Sequence, residues 1–278
     1  MDSEKRSCVH AISTVTDYIR ENIDKKTMGQ ACFIDLRKAF DTLDHSILLK
    51  KLYAYGYRGP ILQILQDYLN NRYQYIETDK IKTGKLLLTT GVPQGSILGP
   101  FLFLVYINDL PRYVENECKI AIFADDTSIV QAGPRNQCAL QTNLNRINNW
   151  FSYNKLSVNI AKCEVINFGI GTPEDLTINN EKLPKRNACK YLGVYLDKKL
   201  LFHEHIEYVV KKLNKFSGLI YKVREVYPIK CLMLFYNSFA KSIISYGLLT
   251  YGSAAKTNLE KIEKAQRRIL RIFFQKQI

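Results

Sequence analysis

Long apolar runs are missing from this sequence. The longest nearly apolar stretch, Ile97 to Ile107, is too short to span a bilayer and is broken by Gly99 and Pro100. Residues 1–15 hold no continuous apolar core, so no secretory signal is legible and no membrane is expected as a partner. CxxC pairs are missing too. The seven cysteines (8, 32, 118, 138, 163, 189 and 231) are scattered and odd in number, which argues against a disulfide framework and reads as a reduced intracellular protein. The four histidines are equally dispersed. His203 and His205 stand two apart, would point to different sides of a helix, and make a poor metal pair. Internal repeats and low-complexity tracts are not evident. What remains is an ordinary globular balance, 46% hydrophobic and 24% charged over 278 residues, enough for one large domain or two modest ones.

Positive charge is abundant and uneven. The formal net charge is +14, with 40 Lys and Arg against 26 Asp and Glu. Residues 198–278 hold sixteen of the cations and five of the acids, so that segment carries +11 and the rest only +3. A basic C-terminal part beside a nearly neutral larger one points to contact with a polyanion, although a solvated basic helical surface has the same composition.

Periodicity divides the chain in the same place. Residues 8–24 have Val9, Ile12, Val15, Ile19 and Ile23 at helical spacing. Ala31 to Ile34 reads as a buried strand ending at Asp35. Asp44 is placed to cap a helix that Gly56 stops, and Gly59-Pro60 opens another. Residues 73–90 turn to strand character, with a hairpin around Thr78-Asp79. A loop at 91–96 leads into Leu98–Leu110, almost wholly apolar and so read as a buried helix, not a surface one. Residues 120–130 read as two apolar strands joined by a tight turn at Ala124-Asp125-Asp126. Leu140, Leu144, Ile147 and Phe151 mark an amphipathic helix. Alternation at Leu156, Val158 and Ile160 then leads into short strands up to about Leu196. From there the period is helical to the end. One stripe is Leu232, Phe235, Phe239 and Ile243, and Thr257-x-x-Glu260 is a capping-box pattern for the last helix.

Acidic residues at the tips of apolar strands need a reason. Asp125 and Asp126 are adjacent, and two carboxylates this close repel unless a cation neutralises them. Alone, the pair also fits a hairpin turn, since Asp favours turns. Were Asp35 on a neighbouring strand, three carboxylates would converge. Such oxygen ligands select Mg²⁺ or Mn²⁺, and two ions about 3.5–4 Å apart serve phosphoryl transfer by stabilising both attacking and leaving oxygens.

Three segments in order then carry a resemblance. Phe33-Ile34-Asp35-Leu36-Arg37-Lys38-Ala39-Phe40-Asp41 resembles motif A of reverse transcriptases. Gly91-Val92-Pro93-Gln94-Gly95-Ser96-Ile97-Leu98-Gly99-Pro100 resembles motif B, and Phe123-Ala124-Asp125-Asp126 resembles motif C. Ile107-Asn108-Asp109-Leu110-Pro111 and Tyr191-Leu192-Gly193-Val194 resemble the non-LTR, LINE-like retrotransposon branch. The resemblance implies an α+β fold: a palm of antiparallel sheet packed on helices over residues 31–197, a basic helical thumb over 198–278, and a connecting remnant of the fingers over 1–30. It implies an RNA-directed DNA polymerase using two Mg²⁺ ions (Mn²⁺ being an alternative), an RNA template, a DNA primer, the RNA–DNA duplex and dNTPs. A nuclear location follows from the resemblance alone.

Residue by residue, the resemblance makes Asp35, Asp125 and Asp126 the catalytic metal-binding aspartates and adds the Leu36 carbonyl as a backbone ligand. Phe40 matches the steric gate that excludes a 2′-hydroxyl. Gln94 and Gly95 match the segment beside the template base and incoming nucleotide. Lys162 fits the lysine that protonates pyrophosphate. Tyr191, Leu192 and Gly193 fit the primer grip. Lys211, Lys212, Lys215, Arg267, Arg268 and Arg271 are candidate phosphate contacts. Against the family pattern, only 34 residues precede Asp35, and neither an endonuclease domain nor a Cys/His knuckle is recognisable. The expectation is a polymerase palm and thumb with an incomplete clamp for the triphosphate. The alternative is a truncated, catalytically incompetent nucleic-acid-binding remnant. A weaker third reading is a maturase-like RNA-binding helper.

Overall fold

The computed structural model describes residues 7–79, 81–93, 95–115, 118–133, 137–171 and 173–274. Helix α1 (Cys8–Asp24) leads into β1 (Gly29–Ile34), and both match the periodicity. The Asp44 side chain accepts from the Ile47 N–H at 3.0 Å and so caps α2 (His45–Ala54). Helix α3 (Gly59–Leu69) starts at Gly59-Pro60. Residues 73–88 form four two-residue strands, β2 (Tyr73–Gln74), β3 (Glu77–Thr78), β4 (Ile81–Lys82) and β5 (Leu86–Leu87), all exposed.

Helix α4 (Leu98–Ile107) is buried on one side only. Leu102, Phe103, Tyr106 and Ile107 are inside, whereas Phe101 and Leu104 face out, so uniform apolarity overstated its burial. The hairpin β6 (Lys119–Phe123) and β7 (Asp126–Ala132) follows, then α5 (Gln137–Tyr153). The alternation at 156–160 makes only a bridge, Leu36 to Val158, before a 3₁₀ turn at Ile160–Lys162. Six short strands complete the sheet region: β8 (Glu164–Phe168), β9 (Thr177–Ile178), β10 (Glu181–Lys182), β11 (Lys185–Arg186), β12 (Ala188–Tyr191) and β13 (Val194–Asp197).

The central sheet has the order β11-β8-β1-β7-β6. It is antiparallel, as expected of the palm, except at its edge, where the two-residue β11 joins β8 in parallel. Alternate residues of β1 serve two cores. Cys32 and Ile34 face a core built with α2, α4 and α5. Ala31 faces a second core that also contains Ile12, Val15 and Ile19 of α1 and Phe273 near the end of the described chain.

The rest is helical: α6 (His203–Val223), α7 (Ile229–Phe235), a π-helical stretch at Tyr236–Lys241, then α8 (Ser242–Ser245), α9 (Leu248–Tyr251) and α10 (Lys256–Phe274). The wider π turn changes which side chains point inward. Tyr236 and Ala240 are buried, while Phe239 of the expected stripe is exposed. Helix α10 begins at Lys256, so Thr257 lies inside its first turn and does not cap it from outside. No helix among the described residues is long and apolar enough to cross a membrane.

Candidate active site

Register brings the acidic residues together. Ile34 of β1 is opposite Thr127 of β7. Continuing one step places Asp35 opposite Asp126, and a second step places Leu36 opposite Asp125. Strand alternation puts Asp35 and Asp126 on the sheet face shared by Phe33 and Ser128. Asp126 is the first residue of β7 and pairs with Phe123, and Ala124 at φ +52° and Asp125 make the turn. The Asn159 N–H donates to Asp35 O at 2.8 Å, and the Arg37 N–H donates to Ser157 O at 2.8 Å. Leu36 lies between these bonds, so its own carbonyl points away from Val158, toward the β7 side.

A cavity of about 110 Å³ opens on that face, lined by Asp35, Asp126, Lys162, Glu164, Lys190 and Tyr191 together with Phe33, Ile34 and Thr127. Asp126 keeps an exposed edge, yet its carboxyl is pushed above the usual carboxylate range, first by partial burial and then by the charges of Asp125 and Asp35. Asp126 therefore feels the charge of both other carboxylates. Among the described residues no three His, Cys, Asp or Glu side chains form a ready-made metal cage. The donor set is nonetheless hard oxygen, with no His or Cys on the cavity wall, and a divalent cation of the Mg²⁺ class fits it by chemistry and by charge.

The β12–β13 hairpin stands beside the carboxylates. Tyr191 pairs with Val194 across a two-residue turn, Leu192-Gly193, whose φ values are +43° and +84°. Two positive φ angles give the twist such a hairpin needs, which suits Gly193 and strains Leu192. That strain is held by Tyr246, whose hydroxyl donates to Leu192 O at 2.6 Å. The Tyr191 ring lies 5.0 Å from Phe33, and Ser128 Oγ donates to its hydroxyl at 3.1 Å. Burial pushes the Tyr191 hydroxyl up to about 12, so it remains a protonated, fixed wall.

Other expected site residues lie elsewhere. Phe40 is half-buried, stacked on Phe103 with centroids 4.7 Å apart, and is not on the acidic cavity wall. The loop that follows is tied to the same segment: the Gly91 N–H donates to Leu43 O and the Val92 N–H to Phe40 O. Gly95 has φ +79° in open surroundings, and Gln94 lies outside the described residues. Lys211 and Lys215 line a separate cavity of about 490 Å³ with Lys261. Lys212 sits 4.5 Å over the Tyr208 ring, and Arg267 pairs with Glu263 at 3.0 Å. Arg268 and Arg271 are exposed on α10.

Sequence reading missed Glu164, Lys190 and Tyr246. Lys190 had a signal, since it directly precedes Tyr191. Glu164 and Tyr246 are brought in by pairing and packing that no local motif encodes. Asp109 of the Asn-Asp segment supports the fold instead, because Lys51 Nζ meets its Oδ1 at 2.6 Å and lies 4.5 Å over the Trp150 ring.

A family profile described as reverse transcriptase (RNA-dependent DNA polymerase) matches residues 3–196. The RNA-directed DNA polymerase from mobile element jockey of Drosophila melanogaster is 30% identical over 272 residues, covering 92% of this chain and 30% of its own length. The probable RNA-directed DNA polymerase from transposon X-element of the same organism is 26% identical, covering 95% of this chain and 30% of its own. The chain thus spans about a third of the length of these curated relatives. Telomerase from Candida albicans, solved with a TWJ fragment of telomeric RNA, superposes with a TM-score of 0.52 at 11% identity, over 94% of this chain and 52% of that one, and shares the fold. The profile match over most of the chain and the jockey-type relatives together place this protein in the reverse transcriptase family, on its non-LTR retrotransposon branch.

Proposed function

We propose that the chain is the polymerising part of an RNA-directed DNA polymerase, extending a DNA primer on an RNA template with dNTPs. The observation that carries this reading is the meeting of Asp35 and Asp126 in one cavity with Lys162, with Asp125 on the adjoining turn. Residues 31–197 serve as the palm, 198–278 as the thumb and 1–30 as the connection to fingers.

Asp35, Asp125, Asp126 and the Leu36 carbonyl would hold Mg²⁺. Bound there, such ions lower the cost of negative charge on the attacking 3′-oxygen and on the leaving pyrophosphate. The carboxylates also orient the reacting groups. Lys162, on the same cavity wall, is placed to give a proton to the leaving group. The Tyr191-Leu192-Gly193 hairpin holds the primer end beside the carboxylates. Phe40, fixed by its stack on Phe103, excludes a 2′-hydroxyl, and Gln94 and Gly95 border the template base. The cations of α6 and α10 hold phosphates without reading sequence.

Replacing Asp125 with Asn tests this directly. Divalent-ion-dependent extension of a DNA primer on an RNA template is expected to vanish while the melting temperature stays near that of the parent. A variant that extends normally removes Asp125 from the mechanism.

A further inference from the structure

The end of the sheet away from the carboxylates carries the opposite charge. Phe168 is paired with Gly29, six positions before Asp35 on β1. At about 3.3 Å per residue the Gly29–Phe168 end lies roughly 20 Å from Asp35, while on the other side Arg186 reaches Glu164 of the acidic cavity's wall. A cavity of about 730 Å³ opens there, and its wall holds five cations, Lys26, Lys185, Arg186, Lys198 and Lys199, with no acidic side chain.

Two of these cations are already engaged, Lys185 with Asp175 at 2.7 Å and Arg186 with Glu164 at 3.5 Å. Among the described residues no carboxylate is in salt-bridge range of Lys26, Lys198 or Lys199. Asp197, their neighbour in sequence, accepts instead from the backbone N–H groups of Lys199, Leu201 and Phe202. Three unneutralised lysines around one concavity create a local field for anions.

The lining also holds apolar side chains, Ile23, Phe168, Ile170 and Leu201, of which Ile170 and Leu201 are exposed. The wall is also fixed in place. Gly169 has φ +73°, and a Cβ there would run into the Thr27 carbonyl, so only glycine lets the 169–171 turn close against the segment that carries Lys26. Cations interleaved with exposed apolar side chains match a single strand, whose phosphates and unstacked bases are both accessible. At about 730 Å³ the concavity is of small-ligand size, room for a short stretch of one strand and not for the body of a duplex.

We propose that this cavity is a second nucleic-acid site, which takes an unpaired phosphodiester strand apart from the template–primer duplex. It uses none of the three carboxylates, so it stands or falls independently of the polymerase reading.

The test is fluorescence anisotropy of the whole chain, without nucleotides, against labelled U15, labelled T15 and a blunt 15-base-pair RNA–DNA duplex over a salt series. The triple variant Lys26→Glu/Lys198→Glu/Lys199→Glu is compared with Lys211→Glu/Lys215→Glu on α6. The first is expected to weaken single-strand binding about tenfold or more and to flatten its log–log salt slope by about 2, as loss of roughly three phosphate contacts requires. The α6 variant is expected to weaken the duplex more than the single strand. Tighter binding of U15 than T15 identifies RNA as the strand, and equal binding identifies backbone recognition alone. Unchanged single-strand affinity and slope in the first variant, or equal losses for single strand and duplex, overturns the proposal. The triple Lys→Gln variant keeps the test readable if the charge-reversed protein does not fold.

Discussion

Asp109 and Asp126 are the same residue type put to opposite ends. Asp109 is three-quarters covered and meets the Lys51 ammonium, which sits between two aromatic rings. The pair ties α2 to the segment after α4. Asp126 has no cationic partner in ion-pair range among the described residues and faces two more carboxylates. A paired aspartate adds to stability, whereas a crowded one detracts from it. Tension of the second kind collects where charge must later be stabilised. His205 makes a third case: it is buried with its Nε2 unpartnered and is kept neutral by its surroundings.

The largest expected effect breaks the tension. Asp126→Asn should slow primer extension by about a thousandfold or more, roughly 4 kcal/mol of barrier, while chemical denaturation shows a stability equal to or above the parent's. The sign follows from the raised folded-state pKa. The carboxyl prefers to be protonated in the fold, so its ionised form destabilises it as pH rises through the shifted value. A large loss of stability in this variant would erase the contrast.

Asp109→Ala should do the reverse. It leaves Lys51 buried without its partner and should cost about 2–4 kcal/mol in urea unfolding, less than a fully buried pair because Asp109 keeps some exposure. Extension per folded molecule should change little.

His205 sharpens the comparison through pH. Burial, with Lys212 adding to it, pushes the imidazole down to about 4 from about 6.5 when unfolded. The unfolded chain therefore binds the proton first. Stability is full above pH 6.5 and falls by up to about 3 kcal/mol as pH drops toward 4. Urea midpoints measured at pH 7 and 5 should differ less in His205→Phe than in the parent.

The smallest effect concerns the hairpin. Tyr246→Phe removes the hydroxyl that holds Leu192 and should cost about 1 kcal/mol of stability. It should also raise primer dissociation, measured by processivity on a trapped template.

Much of this was legible beforehand, for identifiable reasons. The Asp44 cap, the Gly59-Pro60 start and the turn at Ala124-Asp125 rest on local backbone chemistry, which a sequence displays directly. The gathering of Asp35 with Asp126 depended on β1 pairing with β7, and only the joint order of three motifs suggested it. Local signals failed where packing chose otherwise. Phe101 and Leu104 are as apolar as their buried neighbours, the π turn moved Phe239 outward, and Thr257 proved to be one residue inside its helix. The Lys26–Lys198–Lys199 cluster joins residues more than 170 positions apart: charge counts took in Lys198 and Lys199 with the basic C-terminal segment, but nothing local set Lys26 beside them.

The second core has a practical consequence for dissecting the molecule. Ile12, Val15 and Ile19 near the start of the chain and Ile269 and Phe273 near its end belong to one buried cluster, and Arg20 reaches the Ser253 hydroxyl at 2.8 Å. Scissions near residue 30 or residue 198 would each bare a sticky surface on both fragments. Recombinant pieces cut at those points should clump unless mixed, and mixing them should restore a single melting transition.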